Sequence, residues 1–360
     1  PDRMASGSVF RRYEKEPAVA SSLPSSQDKG EVDYKHVKGV KSSAFSKNWQ
    51  TSSGLSALDS ALGGGITVGT MLLLVEDSPT RCFEHVLKHC VAQGVQHGHR
   101  ILVCGEAGRI SDEVPSLIEN DGEEQVRQKL PTSMTEKDDE LRIAWRYKEA
   151  IQQQSKLKPQ SAGPSYCDRF DISKSRPLSA DTRAKYFREV PVMDEDCQDS
   201  KSPSSHFPFS RLFDQVKNAV KSEDKLCRVV IPSFGSLSWF SPGRPRQSCE
   251  NDLLVFAKML KGMVRKSRAV VMMSVPAWLA ETDAGSRLMR ISDYVLHLDS
   301  LAACDAAVRQ QYKDYVAFAH IRKVLRLDCL SAFTPDSLHY LIKLRRRTIQ
   351  FDRMHAANPE

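Results

Sequence analysis

The apolar residues of this chain repeat with two periods. Between 51 and 119, "TMLLLVE" (70–76) and "RILVCGEA" (100–107) are short unbroken apolar runs, the pattern of parallel strands buried on both faces. The stretch between them, "CFEHVLKHCVAQGVQHG" (82–98), has Phe83, Val86, Leu87, Cys90 and Val91 at helical spacing. It predicts a helix that stops near Gly94. From 211 the alternation returns, with helices over 210–222 and 251–267 and buried strands over 227–233 and 269–276. Strands are also expected at 293–301, 314–327 and 339–355, as antiparallel additions at one end of a sheet. Alternating strands and helices imply an α/β fold: a mostly parallel central sheet with helices on both faces.

Two stretches break the rhythm. Residues 1–50 are polar, rich in Ser, Lys and Glu, and read as a disordered tail. Over 119–210, acidic clusters such as "EKDDE" and "MDEDCQD" alternate with Pro- and Ser-rich text. That predicts a polar, partly disordered insertion with one apolar-aromatic island, "RIAWRY" (142–147). The expected organisation is one domain over 51–355 with a short tail at 356–360.

Composition narrows the class. Apolar residues make up 40% of 360, enough for a sizeable core, while a mean hydropathy of −0.43 fits a protein with polar segments. No run approaches a membrane span, and no apolar signal core opens the chain, so membrane insertion and secretion are not expected. Nine cysteines without a CxxC fit reduced thiols rather than a disulfide frame, a zinc site or an iron–sulfur cluster. The net charge of +7 is uneven: residues 211–360 carry 24 Lys/Arg against 15 Asp/Glu, and the first 210 carry 28 against 30. A basic C-terminal half suits an anionic partner, nucleic acid first, or an ordinary solvated surface.

The loop between the first strand and helix has the length of a phosphate loop, GxxxxGK[ST]. On that pattern Glu76 and Arg81 take the two glycines, Cys82 the lysine and Phe83 the Mg²⁺-binding hydroxyl. Glu76 brings a carboxylate where an anion would lie, and Pro79 removes a backbone donor. Arg81 adds bulk but restores a positive charge. A second carboxylate should end a later strand, yet "CRVVIPSFG" delivers Pro232 and Ser233. Two elements of phosphoryl-transfer chemistry are missing. On this loop alone, a strand–turn–helix that never held a phosphate reads equally well.

The residues upstream add to the picture. In "SSGLSALDSALGGGITVGT", Ser53, Gly54, Leu58, Asp59, Leu62, Gly63, Gly64, Gly65 and Gly69 stand in the order of the segment before the phosphate loop of RadA/KaiC-type proteins. Downstream, "LRIAWRY" (141–147), "YCDRFDISKSRPL" (166–178), "YKDYVAFAHIRKVLRL" (312–327) and "KLRRRTIQFDRMH" (343–355) resemble the fourth-subunit family of the Elongator complex. The resemblance covers roughly residues 50–355. It implies a RecA-like fold with degenerate nucleotide motifs and no cofactor. It also implies a hetero-hexameric ring with the fifth and sixth Elongator subunits, contact with the remaining subunits, and a non-catalytic role in tRNA binding or release during wobble uridine (U34) modification. The implied location is the cytoplasm, with the nucleus as a second compartment.

In a RecA-like ring the loops after the central strands face the pore. Here these are 234–250, with Trp239, Phe240, Arg244 and Arg246, and 277–293, with Arg287 and Arg290. Aromatics beside arginines can stack bases and hold phosphates. The same tryptophan can equally be core, and the arginines can face water or a neighbouring subunit. "KLRRR" (343–347), read as a strand, puts Lys343, Arg345 and Arg347 on one face, which suits a solvated edge or a subunit interface better than an RNA site. His85 and His89 are four apart on the predicted helix, and His97 and His99 are placed in the following turn. No HExxH accompanies them, so zinc is not expected. Two other readings remain: a nucleotide hydrolase whose unorthodox site is completed at a subunit interface, and a scaffold without RNA contact.

Overall fold

The computed structural model describes residues 34, 36–105, 108–118, 165–192, 207–221, 225–329 and 333–354. The island at 142–147 lies outside them. Chain order begins with a small antiparallel sheet of β1 (Val40–Ser42), β2 (Trp49–Thr51) and β3 (Ile66–Thr67), with α1 (Ser56–Ala61) before β3. The tail expected up to residue 50 is therefore corrected: residues 40–51 form two paired strands. Gln50 and Thr51 are buried, and Thr51 is held by its hydroxyl to the Gly39 carbonyl at 2.9 Å.

Next come β4 (Met71–Val75), α2 (Cys82–His97), β5 (Arg100–Cys104), α3 (Gly108–Asp112), the antiparallel pair β6 (Val114–Leu117) and β7 (Phe170–Arg176), α4 (Ala180–Tyr186) and β8 (Phe187–Val190). Then follow α5 (Ser210–Val220), β9 (Cys227–Ile231), α6 (Arg246–Val264), β10 (Ala269–Val275), α7 (Ala277–Ala280), α8 (Asp283–Ile291) and β11 (Tyr294–Ser300). The last elements are α9 (Ala306–Gln311), β12 (Ala317–Lys323), β13 (His339–Leu344) and β14 (Ile349–Arg353). The main sheet runs β14-β13-β12-β11-β4-β10-β9-β5-β8. Every pair from β11 to β8 is parallel, and the pairs from β11 to β14 are antiparallel.

This is the expected α/β architecture, a mostly parallel sheet with antiparallel strands at one end, and its cause is legible in the strands. Alternate side chains of β4 feed two cores. Leu72 and Leu74 join α1 and α2 on one face, whereas Met71, Leu73 and Val75 join α5, α6 and α8 on the other. Among the described residues, no helix is long and apolar enough to cross a membrane.

Several details differ from expectation. Residues 294–300 pair in parallel with β4, so the antiparallel additions begin one strand later. In place of one strand over 339–355, residues 339–353 form a hairpin, closed by the Arg345 N–H to the Thr348 carbonyl at 2.8 Å. Arg345 and Arg347 therefore lie in a turn, off the strand face assigned to them. The insertion contributes β8, which pairs with β5 and caps the sheet edge. Helix α2 runs through Gly94 to His97 and ends on left-handed Gly98. Gly94 is there because a Cβ would stand 2.8 Å from Cδ of Arg228, which crosses behind it. The stretch 277–293 is two helices instead of a loop, and Arg246 starts α6 rather than ending a loop.

Candidate functional site

The β4–α2 connection is filled from within the chain. The Asp77 carboxylate accepts from the Cys82 N–H at 2.9 Å, the Phe83 N–H at 3.2 Å and the Thr80 hydroxyl. The first amides of α2, which in a phosphate loop would face the anion, are thus satisfied by the chain's own carboxylate. Arg81, standing for a glycine, adopts that glycine's left-handed backbone at φ 51° and turns its guanidinium onto Glu84. Cys82 is buried, and burial, with Asp77 nearby, pushes its thiol up to about 12. Phe83 is buried in the apolar cluster beneath α2. Pro79 is exposed at the loop tip.

Glu76 turns away from this cradle. Its carboxylate accepts from the Ser233 hydroxyl at 2.8 Å and the Ser274 hydroxyl at 2.7 Å, tying together the ends of β4, β9 and β10. Burial raises its pKa, and the two hydroxyls oppose that shift. The carboxylate expected after β9, at Pro232 or Ser233, instead follows β4, and the residue after β9 supplies a hydroxyl. Ser233, with φ 44°, is held by its N–H to the Ser274 hydroxyl at 2.8 Å.

The upstream motif is architectural. Asp59 accepts from the Ser52 hydroxyl at 2.5 Å and from the N–H and hydroxyl of Ser53 at 2.7 and 2.6 Å. Gly64 N–H reaches the Asp59 carbonyl at 2.7 Å. Burial raises the Asp59 pKa against these donors. Beside it, fully buried Arg228 donates to the Ser52 carbonyl at 2.8 Å, the Thr51 hydroxyl at 2.9 Å, and His99 Nδ1 at 3.0 Å. Sequence reasoning missed Asp77 and Arg228. The arginine could have been noticed as the one charge inside the apolar run "CRVVI".

A cavity of about 410 Å³ opens beside the filled loop, lined among others by Arg81, Arg109, Ser233, Ser236 and Ser238. The residues predicted to touch RNA fall around and beyond it. Trp239 is corrected: it is 1% exposed and packs on Phe234, Phe209 and Phe256 at 4.8, 5.5 and 6.2 Å. A base cannot stack on it. Phe240 instead meets Trp278 at 6.1 Å, and the Arg246 guanidinium lies 4.8 Å over the Trp278 ring, which is 38% exposed.

Arg244 pairs with Asp252 at 2.6 Å, Arg246 with Glu250 at 2.8 Å and Arg287 with Asp283 at 2.7 Å. Arg287 and Arg290 are exposed on α8. The structure therefore brings Phe240 and Arg246 together around Trp278 and places Arg287 and Arg290 on a separate helix.

Three of the four histidines reach backbone carbonyls. His89 Nδ1 lies 2.6 Å from the His85 carbonyl, His97 Nε2 2.9 Å from the Ser165 carbonyl, and His99 Nε2 2.7 Å from the Lys38 carbonyl. Burial lowers the pKa of each of His85, His89, His97 and His99.

A family model described as PAXNEB protein matches residues 33–359. The chain is similar to Elongator complex protein 4 of Danio rerio, with 28% identity covering 94% of this chain and 90% of that one. It is likewise similar to the proteins of that name from Mus musculus and Homo sapiens, at 28% and 27% identity. Each alignment covers 89% of this chain and 79% of the relative. A solved KaiC-like protein from Pyrococcus horikoshii OT3 aligns with 84% of this chain and 98% of its own, at 14% identity and a TM-score of 0.44.

Proposed function

Because this chain belongs to the PAXNEB protein family, which matches it over residues 33–359, we propose that it is a non-catalytic RecA-like subunit of an Elongator accessory ring. In this reading it assembles with the fifth and sixth Elongator subunits and supports tRNA binding or release while another subunit modifies the wobble uridine. The work takes place in the cytoplasm and the nucleus. One observation carries the non-catalytic part: the α2 amides that a phosphate would need are taken by Asp77. A triphosphate would have to displace a buried carboxylate and would find neither a lysine at 82 nor a hydroxyl at 83.

Two measurements test it. Purified chain with Mg²⁺ should not hydrolyse ATP; robust turnover that vanishes in Arg81→Ala would instead favour a hydrolase with an unorthodox site. Native mass spectrometry with the two proposed partners should give a ring of two copies of each that takes up tRNA. A ring that forms without retaining tRNA would leave this chain a scaffold.

A further inference from the structure

The antiparallel end of the main sheet carries a histidine row unrelated to the β4–α2 loop. His297 on β11 is the register partner of His320 on β12, which is the partner of His339 on β13. Facing partners on adjacent strands present side chains to the same face of the sheet. Asp299, two residues after His297, shares that face; its carboxylate lies 3.3 Å from His320 Nε2 and 3.4 Å from His297 Nε2. On its other edge, His320 Nδ1 lies 2.6 Å from His339 Nδ1. Phe318 stacks on the His320 ring, with an interplanar angle of 21°, and fixes its plane. Ser337 brackets the His339 backbone, accepting from its N–H at 3.1 Å and donating to its carbonyl at 2.8 Å.

We propose that His320 and His339 form a binding site for a divalent transition-metal ion of the zinc class. The carboxylate beside Nε2 of His320 favours the proton on that nitrogen, which turns the Nδ1 lone pair toward His339. In the ion-free pair, His339 Nδ1–H donates to that lone pair. When an ion enters, the His339 proton moves by solvent exchange to its Nε2, and both Nδ1 atoms become ligands. No proton is lost from the pair and no redox step occurs.

Zinc–nitrogen bonds of about 2.0–2.1 Å in tetrahedral geometry set the two nitrogens about 3.3 Å apart. His339 is exposed at the start of β13, so its ring can swing outward by the required fraction of an ångström. Among the described residues no three His, Cys, Asp or Glu side chains already converge on one point. The ion therefore takes two protein nitrogens, completes its shell with water and remains open to a further donor. Imidazole suits Zn²⁺, Cu²⁺ and Ni²⁺ and disfavours Mg²⁺ and Ca²⁺. This site is independent of the proposed ring function.

The test is isothermal titration of the chelator-treated full chain with Zn²⁺ near neutral pH, repeated with Mg²⁺. Saturable Zn²⁺ binding is expected, without a Mg²⁺ signal, accompanied by a Zn²⁺-dependent rise in Tm. His339→Asn, at an exposed position, should abolish both effects while the metal-free chain still unfolds in one cooperative transition. Asp299→Asn should weaken binding about 10–100-fold through the lost orientation of His320. Absence of saturable Zn²⁺ binding would overturn the proposal. So would affinity in His339→Asn equal to that of the wild type, since the ion would then sit on other histidines or cysteines.

Discussion

Asp77 is the residue on which the site turns. Its carboxylate caps α2 from five residues before the helix begins and anchors Thr80 in the loop. Removing a capping side chain typically costs about 1 kcal/mol, with a range of about 0.5–2. Asp77→Ala should lower the unfolding free energy by that much in urea titrations. It should also leave ATP turnover at background, because Cys82 and Phe83 still supply neither cation nor metal ligand. Turnover appearing in the variant would mean the loop had been a suppressed nucleotide site.

A second residue-scale effect is set by the buried histidines. His89 is pushed down to about 4 by burial, and His99 is lowered as well, by burial first and then by the Arg228 charge. In the unfolded chain both return to about 6.5. Below that value the unfolded chain binds protons that the folded one refuses, so their contribution falls as pH drops from about 6.5 toward about 4. Asp59 and Glu76, whose pKa values burial raises, act with the opposite sign. His89→Asn separates the two, since it keeps a donor for the His85 carbonyl and removes the titration. The loss in urea midpoint between pH 7.5 and pH 5 should be smaller in that variant; an equal loss would place the pH dependence elsewhere.

The strand, turn and helix over 71–97 were legible because the apolar spacing changes period there. The Asp77 cap was not, since a carboxylate five residues ahead of a helix is outside the usual capping window. Trp239 shows the same limit from the other side. An aromatic flanked by arginines reads alike as platform or core. The rings that bury it, Phe209, Phe234 and Phe256, come from segments whose meeting only the fold determines.

At the scale of elements, the apolar rhythm located nearly every strand and helix of the main sheet. It could not supply direction or breaks. β11 looks like its antiparallel neighbours in sequence, yet it pairs with β4 in parallel because α8 carries the chain back across the sheet first. The Gly94 misreading is instructive. An interior glycine usually marks a helix end or a weak spot, and its replacement by alanine gains roughly 0.5–1 kcal/mol. Here the missing Cβ makes room for Arg228, and Ile101 would stand 3.2 Å away as well. Gly94→Ala should therefore lower Tm by displacing Arg228 from its contacts with Thr51, Ser52 and His99. A rise in Tm would show that the arginine shifts without cost and that the crossing does not constrain the helix.

For the whole molecule, the question is whether the basic half of the chain holds RNA in the proposed ring. The geometry changes which residues should be asked. Arg246 and Arg287 each lie four residues from their carboxylate, and Arg244 reaches Asp252 in the helix that follows it. The three arginines are exposed, although Glu250 and Asp252 are partly buried, and such ion pairs near the surface contribute little. Changing these three and Arg290 to Ala in an assembled ring should lower tRNA affinity and flatten its salt dependence. Each lost contact should reduce the slope by about 0.9 for duplex and about 0.7 for single strands. The loss should be alike for different tRNAs, because phosphate contacts carry no sequence information.

Stacking must be sought at Trp278 rather than Trp239. Truncating Trp239 would open a cavity among three phenylalanines and destabilise the chain by about 3–5 kcal/mol, obscuring any RNA effect. Trp278→Ala, at a half-exposed ring beside Phe240 and Arg246, should weaken binding by about 1–3 kcal/mol with little change in salt slope. Native mass spectrometry of each variant must show the ring intact, since exposed side chains are open to a protein partner as well as to RNA. If an intact ring keeps wild-type affinity and slope through both changes, this subunit holds its partners together and leaves the RNA to them.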